Sequence, residues 1–384
     1  MSGVLFVDHA GVLGGAELSL LDIAAAFGAE SEVMLLTDGP FRASLEGRGV
    51  RVHVEELRAL KGVRKATRIP GPAALADALR LSRHVSRHAA PHRVIYANSQ
   101  KAFVVSAAAG LLAHRPVVWH LRDILGPPHF SATNARAATT LANLRAARVI
   151  ANSRATAAAF VAAGGRESLV RVVHNGIDPT PFDAVTAAEA AAARAALGVP
   201  ADAFVVSLFG RFHPWKGQQV LLKALASLPN VHALFVGAPL FGEDAFASAL
   251  HAQAEKSGVA ARAHFTGFRS DIPVLMRASD AIVHASVYSE PFGRVIVEGM
   301  LAERPVIATR AGGVTEIIDD ETGVLVPPDD PAALVHAIDA LVADRPRAAR
   351  IAARGAARAR AEFSVTAMVR GVRDAVADLL APRR

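Results

Sequence analysis

The hydrophobic residues in the first half of the chain fall in short continuous runs instead of alternating strictly with polar ones. Such runs, rich in Val, Ile and Leu, are typical of strands that are covered on both faces. Alanine-rich helical patterns separate the runs, which predicts right-handed βαβ units in a parallel sheet. The predicted strands are 4–8, 33–36, 50–54, 94–97, 117–120 and 149–151.

The same alternation of strand and helix repeats in the second half. The predicted strands there are 204–209, 233–236, 263–265, 281–284, 306–308 and 324–326. An alanine-rich segment, 184–197, predicts a helix ended by Gly198 and preceded by a linker at 175–182. We therefore predict an α/β protein with two Rossmann-like, doubly wound domains. They should face a central cleft, with ligands at the carboxyl ends of the strands.

Composition and charge narrow the possible functions. The chain has 384 residues, which is more than one domain of about 100–200 residues. Hydrophobic residues make up 52% of the chain and charged residues 20%, and this composition excludes a disordered chain. A net charge of +7 favours an anionic partner. The absence of cysteine excludes disulfides, thiolate metal sites and Cys nucleophiles. No apolar run reaches the roughly 20 residues of a membrane span, and residues 1–8 do not resemble a signal peptide. We therefore expect a cytoplasmic protein.

The strongest candidate site follows the fourth predicted strand of the second half, at 289–298. Pro291 suits the first turn of a helix there, and Gly293 allows a ligand close to the backbone amides. Those amides and the helix dipole predict an anion site. Glu290 lies just ahead of the predicted helix, and Glu298 lies about two turns along it. Their carboxylates suit the hydroxyls of a sugar or a ribose, and a solvated helix is the plain alternative for either one alone.

A second candidate lies at 210–217, after the first predicted strand of the second half. Arg211 and Lys216 stand five residues apart across a turn that contains proline. They can converge on one diphosphate, the guanidinium as a fork and the ammonium as a point charge. A surface turn with two solvated cations is the alternative, but the position of the turn ahead of a helix favours the phosphate site.

The order of these motifs resembles that of a known enzyme family. The motifs are GGAE at 14–17, HNGID at 174–178, GR at 210–211 with KG at 216–217, the Glu290 and Glu298 pair, AGGVTE at 311–316 and TGVLV at 322–326. This set is similar to the retaining glycosyltransferases of family 4, which have the GT-B architecture. The resemblance covers nearly the whole chain, and the ordered set is highly specific.

The resemblance implies roles for the candidates in the second half. Arg211 and Lys216 would bind the diphosphate of a nucleotide-sugar donor and neutralise the leaving group. Glu290 would hold sugar hydroxyls, and Glu298 would hold the ribose hydroxyls of the nucleotide. The protein would then move a hexosyl-type sugar to a glycan or lipid-linked acceptor, in polysaccharide or glycoconjugate biosynthesis.

The resemblance implies further donor contacts. The backbone amides of Phe292 and Gly293 would meet the donor sugar and phosphate, and Gly14 and Gly15 would close on the phosphate. His120, at the end of a predicted strand, resembles the active-site histidine that lies beside the donor sugar in the family. With Arg211, Lys216 and Glu290 it completes the expected catalytic set, although a histidine at a strand end is commonly structural.

The same family implies transfer with retention by a same-face attack, in which the leaving phosphate helps to deprotonate the acceptor. No carboxylate in the first half stands out as the covalent nucleophile that a retaining glycosidase would use. The chain has no Asp-x-Asp motif and no histidine or carboxylate cluster with metal-ligand spacing. We therefore expect no cofactor and no essential metal, with the nucleotide sugar as co-substrate.

The expected domains are an acceptor-binding domain at 1–182, a nucleotide-sugar-binding domain at 183–363, and a helix at 364–384 that crosses back to the first. The basic segment 58–68, with Lys61, Arg64 and Lys65, could rest on an anionic membrane, which suggests a peripheral position at its inner face. A solvated loop explains the segment equally well.

Two other functions compete with the transferase. Nucleic-acid binding is not expected, because no reader motif appears and only 5% of residues are aromatic. A sugar-nucleotide epimerase on the same two-domain scaffold is the alternative enzyme. The Glu290 and Glu298 pair, with Arg211 and Lys216, favours the transferase.

Overall fold

The computed structural model describes residues 3–55, 72–239 and 242–381. The chain forms two compact units, Met1–Gly176 together with Val365–Arg384, and Ile177–Ser364. The first change of unit therefore falls at residue 176 and not at 182, although it lies inside the linker expected at 175–182. The helix Thr180–Asp183 already belongs to the second unit.

The first unit is built on a parallel sheet. Its strands in the described residues are β1 Val4–Asp8, β2 Glu32–Leu35, β3 Arg51–Val54, β4 Val94–Ala97, β5 Val117–Leu121, β6 Ala146–Ala151 and β7 Val170–Val172. Their spatial order is β3-β2-β1-β4-β5-β6-β7. The order reverses between β1 and β4, which is the doubly wound, Rossmann-like arrangement.

The second unit repeats this arrangement. Its strands in the described residues are β8 Phe204–Phe209, β9 Val231–Val236, β10 Ala263–Gly267, β11 Ala281–His284, β12 Val306–Thr309 and β13 Val324–Val326. All are parallel, and their order is β10-β9-β8-β11-β12-β13, with the reversal between β8 and β11. The predicted α/β class with two Rossmann-like domains is confirmed.

Helices cover both faces of each sheet. The α-helices of the described residues are α1 Gly15–Phe27, α2 Pro40–Gly47, α3 Pro72–Ala89, α4 Gln100–Ala113, α5 Ala132–Arg145, α6 Arg154–Ala162, α7 Thr180–Asp183, α8 Ala187–Ala196, α9 Gln218–Leu225, α10 Asp244–Lys256, α11 Ile272–Arg277, α12 Arg294–Leu301, α13 Val314–Ile317, α14 Pro331–Ala343, α15 Arg345–Glu362 and α16 Val365–Leu380. None of these helices combines the length and the apolar character that crossing a membrane requires.

The continuous hydrophobic runs follow from this double cover. On β1, Val4 and Phe6 belong to one core, whereas Leu5 and Val7 belong to the other, and all four are fully buried. Successive side chains of a strand point to opposite faces, so a strand covered on both faces needs apolar residues at every position. Full burial of one such side chain contributes about 1.5–3 kcal/mol.

Helix α16 packs in the first unit although it follows the second in sequence. Its residues Met368, Val372 and Val376 join the core that contains Val4 and Phe6. Their spacing of four residues places them on one helix face. The helix expected at 364–384 spans Val365–Leu380.

All twelve predicted strands are present, but β7 was missed. It has three residues, Val170–Val172, and two of them are exposed. An edge strand this short and this exposed carries little hydrophobic signal. The alanine-rich segment 184–197 forms α8, whose first turn is fixed by Thr186 and Glu189 in a capping box.

Candidate functional site

Three loops meet at the carboxyl edge of the second sheet. The loop after β8 contacts the loop after β11 through the Val287 N–H, which donates to the Trp215 carbonyl oxygen at 2.8 Å. The loop after β12 joins them through the Gly313 N–H, which donates to the Glu290 carbonyl oxygen at 2.8 Å. Lys216 and Glu290, which are 74 positions apart in the sequence, thereby come into contact.

Glu290 is the centre of this arrangement. Its Oε2 accepts from Lys216 Nζ at 2.9 Å, from Ser286 Oγ at 3.0 Å and from His284 Nε2 at 3.2 Å. Burial alone would raise the pKa of the carboxyl, but the charge of Lys216 and the hydrogen bond from His284 hold that pKa well below its ordinary range. Among the described residues every one of these contacts goes to Oε2, which leaves Oε1 for a ligand.

The turn after β8 depends on Gly217. This glycine has φ +78°, and a Cβ atom there would lie 1.9 Å from the carbonyl oxygen of Ala285. Only glycine fits a left-handed conformation with backbone this close. The turn opens α9, as expected, and Lys216 Nζ also lies 4.5 Å from the centre of the Trp215 ring.

Arg211 lies half-buried in the same loop. Burial lowers the pKa of its guanidinium, and nearby Glu243 opposes that shift. A guanidinium stays charged throughout the working range, so the partial burial removes water from a fixed positive charge. A desolvated charge of this kind interacts strongly with an anion.

The helix of the Glu290 motif begins later than expected. α12 starts at Arg294, with Gly293 in the left-handed conformation before it, so Pro291 precedes the helix and is not in its first turn. Glu298 lies only one turn into α12, where its Oε1 is 3.5 Å from Arg294 Nε. Burial raises the pKa of the Glu298 carboxyl, and Arg294 opposes the rise.

The side chain of Phe292 does not face a ligand site. It is 2% exposed and packs edge-on against Phe363 in the core of the second unit. Any donor contact at Phe292 must therefore come from its backbone, as the family resemblance implies.

The glycine pair after β12 allows the loop after β12 to approach the loop after β11. A Cβ atom at Gly312 would lie 2.3 Å from the Glu290 carbonyl oxygen.

In the first unit, a polar network crosses the carboxyl edge of β1, β4 and β5. Asn98 donates from Nδ2 to Asp8 Oδ2 at 2.5 Å, and its Oδ1 accepts from Arg122 Nε at 2.8 Å. Arg122 also donates to Asn175 Oδ1 at 2.8 Å. Asp8 and Asn98 are fully buried, so the network fixes these loops by satisfied hydrogen bonds.

His120 belongs to the same network and is 1% exposed. Its Nδ1 accepts a hydrogen bond from the hydroxyl of Tyr96 and another, 3.2 Å long, from Arg122. Nδ1 is therefore the acceptor and Nε2 carries the hydrogen, an assignment made from the hydrogen bonds. Burial and the charge of Arg122 lower the pKa of His120, so the ring is neutral. Its Nε2 is buried and has no partner among the described residues.

Gly14 and Gly15 lie where α1 begins, but the amide of Gly14 is occupied. It donates to Glu17 Oε2 at 3.0 Å. Burial and the charge of Asp8 raise the pKa of Glu17 to about 7. For Gly14 to donate to a phosphate, this carboxyl group would have to release the amide.

The sequence reasoning gave no role to Asp8, Arg122 or Ser286. Each is polar and follows or ends a predicted strand, which was the available signal. The basic segment 58–68 lies outside the described residues.

Positions along the sequence show no histidine or carboxylate cluster with metal-ligand spacing, but the fold brings one such group together in space. Glu32, His53 and His88 each offer a ligand atom, and these atoms lie within 4.8 Å of one another. The residues are separated in sequence and meet only through the packing of α3 on β2 and β3. The two histidines at 84 and 88 were a readable signal, because a spacing of four places them on one face of α3.

Comparisons with known proteins cover both units. The family described as Glycosyl transferase 4-like domain matches residues 14–176, and the family described as Glycosyl transferases group 1 matches residues 190–358. A crystal structure of Anabaena Alr3699/HepE in complex with UDP and glucose is 40% identical. It aligns over 98% of this chain and 100% of that one, with a TM-score of 0.90.

The chain belongs to glycosyltransferase family 4.

Two further relatives of this family 4 protein differ in what they support. D-inositol 3-phosphate glycosyltransferase of Mycobacterium tuberculosis (strain ATCC 25177 / H37Ra) is 37% identical over 206 residues, which span 52% of this chain and 42% of that protein. The chain thus matches less than half the length of this curated relative. Sucrose-phosphate synthase from Thermosynechococcus elongatus is 22% identical with a TM-score of 0.80, over 98% of each chain, and supports the GT-B fold alone.

Proposed function

We propose that this family 4 protein is a retaining glycosyltransferase that moves a hexosyl group from a nucleotide-diphosphate sugar to a glycan or lipid-linked acceptor. Such a reaction would serve polysaccharide or glycoconjugate biosynthesis. The second unit would bind the donor, and the first unit would bind the acceptor. The similar proteins do not favour the epimerase alternative.

The observation that carries the proposal is the contact between Lys216 and Glu290. It holds an ammonium and a carboxylate 2.9 Å apart at the carboxyl edge of the sheet, where doubly wound folds bind ligands. An ammonium suits a phosphate oxygen. A carboxylate held ionised suits sugar hydroxyls, since it can only accept hydrogen bonds.

A diphosphate would complete this pair. In the free protein the positive charge of Lys216 is paired with the carboxylate of Glu290. The flexible stem of Lys216 allows the ammonium to move to an arriving anion. The hydrogen bonds from Ser286 and His284 would then still satisfy Glu290 Oε2. Arg211 and Lys216 would stabilise the charge that develops on the departing diphosphate, each by about 2.7–4 kcal/mol if they act like an oxyanion-hole donor.

UDP-glucose is the first donor to test. Support comes from the 40% identical protein, whose crystal structures are described with UDP and with UDP-glucose. The amides of Phe292 and Gly293 would contact the donor sugar and phosphate, and Glu298 would contact the ribose. Gly14 and Gly15 would contact the phosphate.

In the first unit, the Nε2–H of His120 would donate a hydrogen bond to a ligand hydroxyl. Its neutral ring and its buried Nε2 suit that role. We propose no essential metal for the transfer, because fixed cations would replace it. We also propose a peripheral contact with the inner face of an anionic membrane, where a lipid-linked acceptor would be found.

Retention is part of the proposal. Glu290 is held ionised in the free protein, so it enters the reaction without a proton to donate and would position the sugar, not act as a general acid. The leaving phosphate would take the acceptor proton in a same-face attack. The anomeric coupling constant of the first product, followed by NMR from the start of the reaction, tests this step. An inverted anomer contradicts it.

The donor test uses a panel of nucleotide sugars with two readouts, thermal shift and released nucleoside diphosphate. We expect UDP-glucose to raise the melting temperature, and Arg211→Ala and Lys216→Ala to reduce UDP release by about 10²-fold or more. Lys223→Ala, which removes an exposed cation from α9, is the matched control and should behave as the parent. Folded Arg211 and Lys216 variants with parental turnover would refute the proposal, as would an epimerised nucleotide sugar formed without UDP release.

A further inference from the structure

A cluster of histidines and one carboxylate lies at the outer strands of the first sheet. We call Glu32, His53 and His88 the histidine cluster. Glu32 begins β2, His53 is on β3, and His88 is near the end of α3. The register pairs His53 with Met34, so Glu32, Met34 and His53 project to the same face of the sheet.

Helix α3 covers that face. Met34 lies in the same core as Leu81 and Val85 of α3. The packing brings the ring of His88 to 4.6 Å from the ring of His53, with 46° between the ring planes. It also places a side-chain ligand atom of each cluster member within 4.8 Å of the other two.

The distances are close to those of a metal site. Tetrahedral Zn²⁺ with nitrogen and oxygen ligands at about 2.0–2.1 Å requires ligand atoms about 3.3 Å apart. His53 Nε2 and Glu32 Oε2 already lie 3.2 Å apart. Within 3–55, 72–239 and 242–381, the imidazole of His88 makes no hydrogen bond, so a small rotation can bring its nitrogen into the same sphere.

The neighbours of the cluster suit a metal more than a simple ion pair. Arg51 binds the other carboxylate oxygen of Glu32, Oε1, at 3.0 Å and so orients Oε2 toward the histidines. His92 Nε2 is 3.9 Å from Glu32 Oε2, and His84 Nδ1 is 3.3 Å from Glu55 Oε1. Four imidazoles thus lie near two carboxylates. They offer more nitrogen ligands than simple ion pairs with these carboxylates would use.

The cluster is also accessible from solvent, and its nitrogen and oxygen ligands suit one class of metal ion. The side chain of His53 is 41% exposed, whereas that of Glu32 is 14% exposed. A cation can therefore enter from solvent and be held against a partly buried carboxylate. Two imidazoles and one carboxylate suit Zn²⁺, Co²⁺, Ni²⁺ or Cu²⁺, whereas Mg²⁺ and Ca²⁺ prefer sites built from oxygen alone.

We propose that Glu32, His53 and His88 bind a divalent cation of the zinc class, with a water molecule in the fourth position. The cation joins β3, the edge strand, to α3, and so fixes two elements whose apolar side chains pack in different cores. Its role is structural. It is separate from the proposed sugar transfer, for which no metal is proposed.

The test measures Zn²⁺ binding to the full chain without an affinity tag, by calorimetry and by competition with a zinc indicator. We expect saturable binding of about one equivalent, and no comparable binding of Mg²⁺. His88→Asn and His53→Asn should each weaken Zn²⁺ binding by about tenfold or more. Co²⁺ should give the visible absorption of a tetrahedral site with the parent and not with these variants.

His264→Asn is the matched control. His264 stacks on His232 in the second unit with 3.0 Å between ring nitrogens, and no carboxylate joins that pair in the metal-capable groups of the described residues. The control should bind Zn²⁺ as the parent does. Parental Zn²⁺ binding by a folded variant that lacks both His53 and His88 would overturn the proposal, and so would a parent that binds no Zn²⁺.

Thermal unfolding provides the second readout. Zn²⁺ should raise the melting temperature of the parent and of His264→Asn, and a chelator should reverse the rise. The melting temperature of His88→Asn should respond to neither, and without metal it should match that of the chelated parent. An equal response of parent and His88→Asn would contradict a structural site at this cluster.

Discussion

Replacing Lys216 with methionine should destabilise the second unit by about 3 kcal/mol at pH 8. The change keeps most of the side-chain stem and removes the ammonium that lies 2.9 Å from Glu290 Oε2. Glu290 is 8% exposed, so it would remain buried with only the hydrogen bonds from His284 and Ser286. Breaking a buried ion pair from one side costs about 3–5 kcal/mol, and the partial exposure of Lys216 places the loss at the low end.

The direction of the pKa shift of Glu290 gives the sign of the pH dependence. In the parent this pKa lies well below its ordinary value of 4.5, so the pair contributes stability above pH 4.5 that is lost as pH falls below it. Without Lys216, burial dominates and the pKa of Glu290 rises. The difference between parent and Lys216→Met should therefore be largest at alkaline pH and shrink as pH falls toward 4.

The assay is urea unfolding followed by tryptophan fluorescence in a Trp119→Phe background. The chain has two tryptophans, so Trp215, which neighbours Lys216, then reports the second unit alone. The cycle uses Lys216→Met, Glu290→Gln and the double variant. We expect the Lys216→Met change to cost less than about 1 kcal/mol in the Glu290→Gln background, since no buried charge is left unpaired.

Two results would refute this reasoning. The first is a coupling free energy within the additivity error of about 0.5 kcal/mol. The second is a loss from Lys216→Met that stays constant between pH 4 and pH 8. Either one would mean that the contact in the structure does not hold Glu290 ionised.

Three further predictions concern other parts of the site. His120→Asn should reduce UDP release by about 10²-fold while the chain stays folded, because it removes the donor at Nε2; unchanged turnover would exclude the proposed role. The pKa of Glu17 is raised from 4.5 to about 7, so its stabilising contribution is present below pH 4.5 and is lost as pH rises through 7. Glu17→Gln should remove that loss between pH 5 and 8 in urea unfolding, and an unchanged pH slope would contradict the shift. Gly217→Ala should cost about 3 kcal/mol or more, because its Cβ overlaps the carbonyl oxygen of Ala285. Gly28→Ala, at φ +65° in open space, should cost about 1–2 kcal/mol, and equal losses would rule out the overlap.

Strands could be predicted from the sequence because both faces of each sheet are covered. Double cover makes every position of a strand apolar, and the resulting run is visible without knowing its neighbours. The same reasoning explains the failure at β7. Its exposed positions need no apolar residue, so Val170–Val172 has no run to detect.

The loops of the second unit were located for a related reason. Parallel strands place all their carboxyl ends at one edge, so residues just after strands meet even when they are far apart in sequence. From that rule the sequence predicted that Lys216 and Glu290 lie at the same edge of the sheet. It did not predict their direct contact or the residue at which α12 starts. The helix begins after Gly293 because the left-handed residue there ends the extended segment, and periodicity carries no information about that.

Partners within a polar network could not be predicted in this way. Arg122 bonds to Asn98 and Asn175, and Glu17 bonds to the amide of Gly14. Each of these contacts depends on side-chain reach and on competition among several nearby groups. A strand-end position predicts that Arg122 lies near the site, but not which of its neighbours it binds.

The geometry of the first sheet separates the histidine cluster from the polar network that contains Asp8 and His120. Asp8 and His53 lie on opposite faces, because Val7 is level with Met34 and His53 whereas Asp8 is the next residue along β1. Two strand spacings also separate β1 from β3, which is about 10 Å. The electrostatic partners divide in the same way. Burial and then the charge of Asp8 raise the pKa of Glu17, whereas burial and then nearby His53 lower the pKa of His88. The proposed cation site therefore lies on the other face of the first sheet from Asp8 and shares no residue with the network around His120.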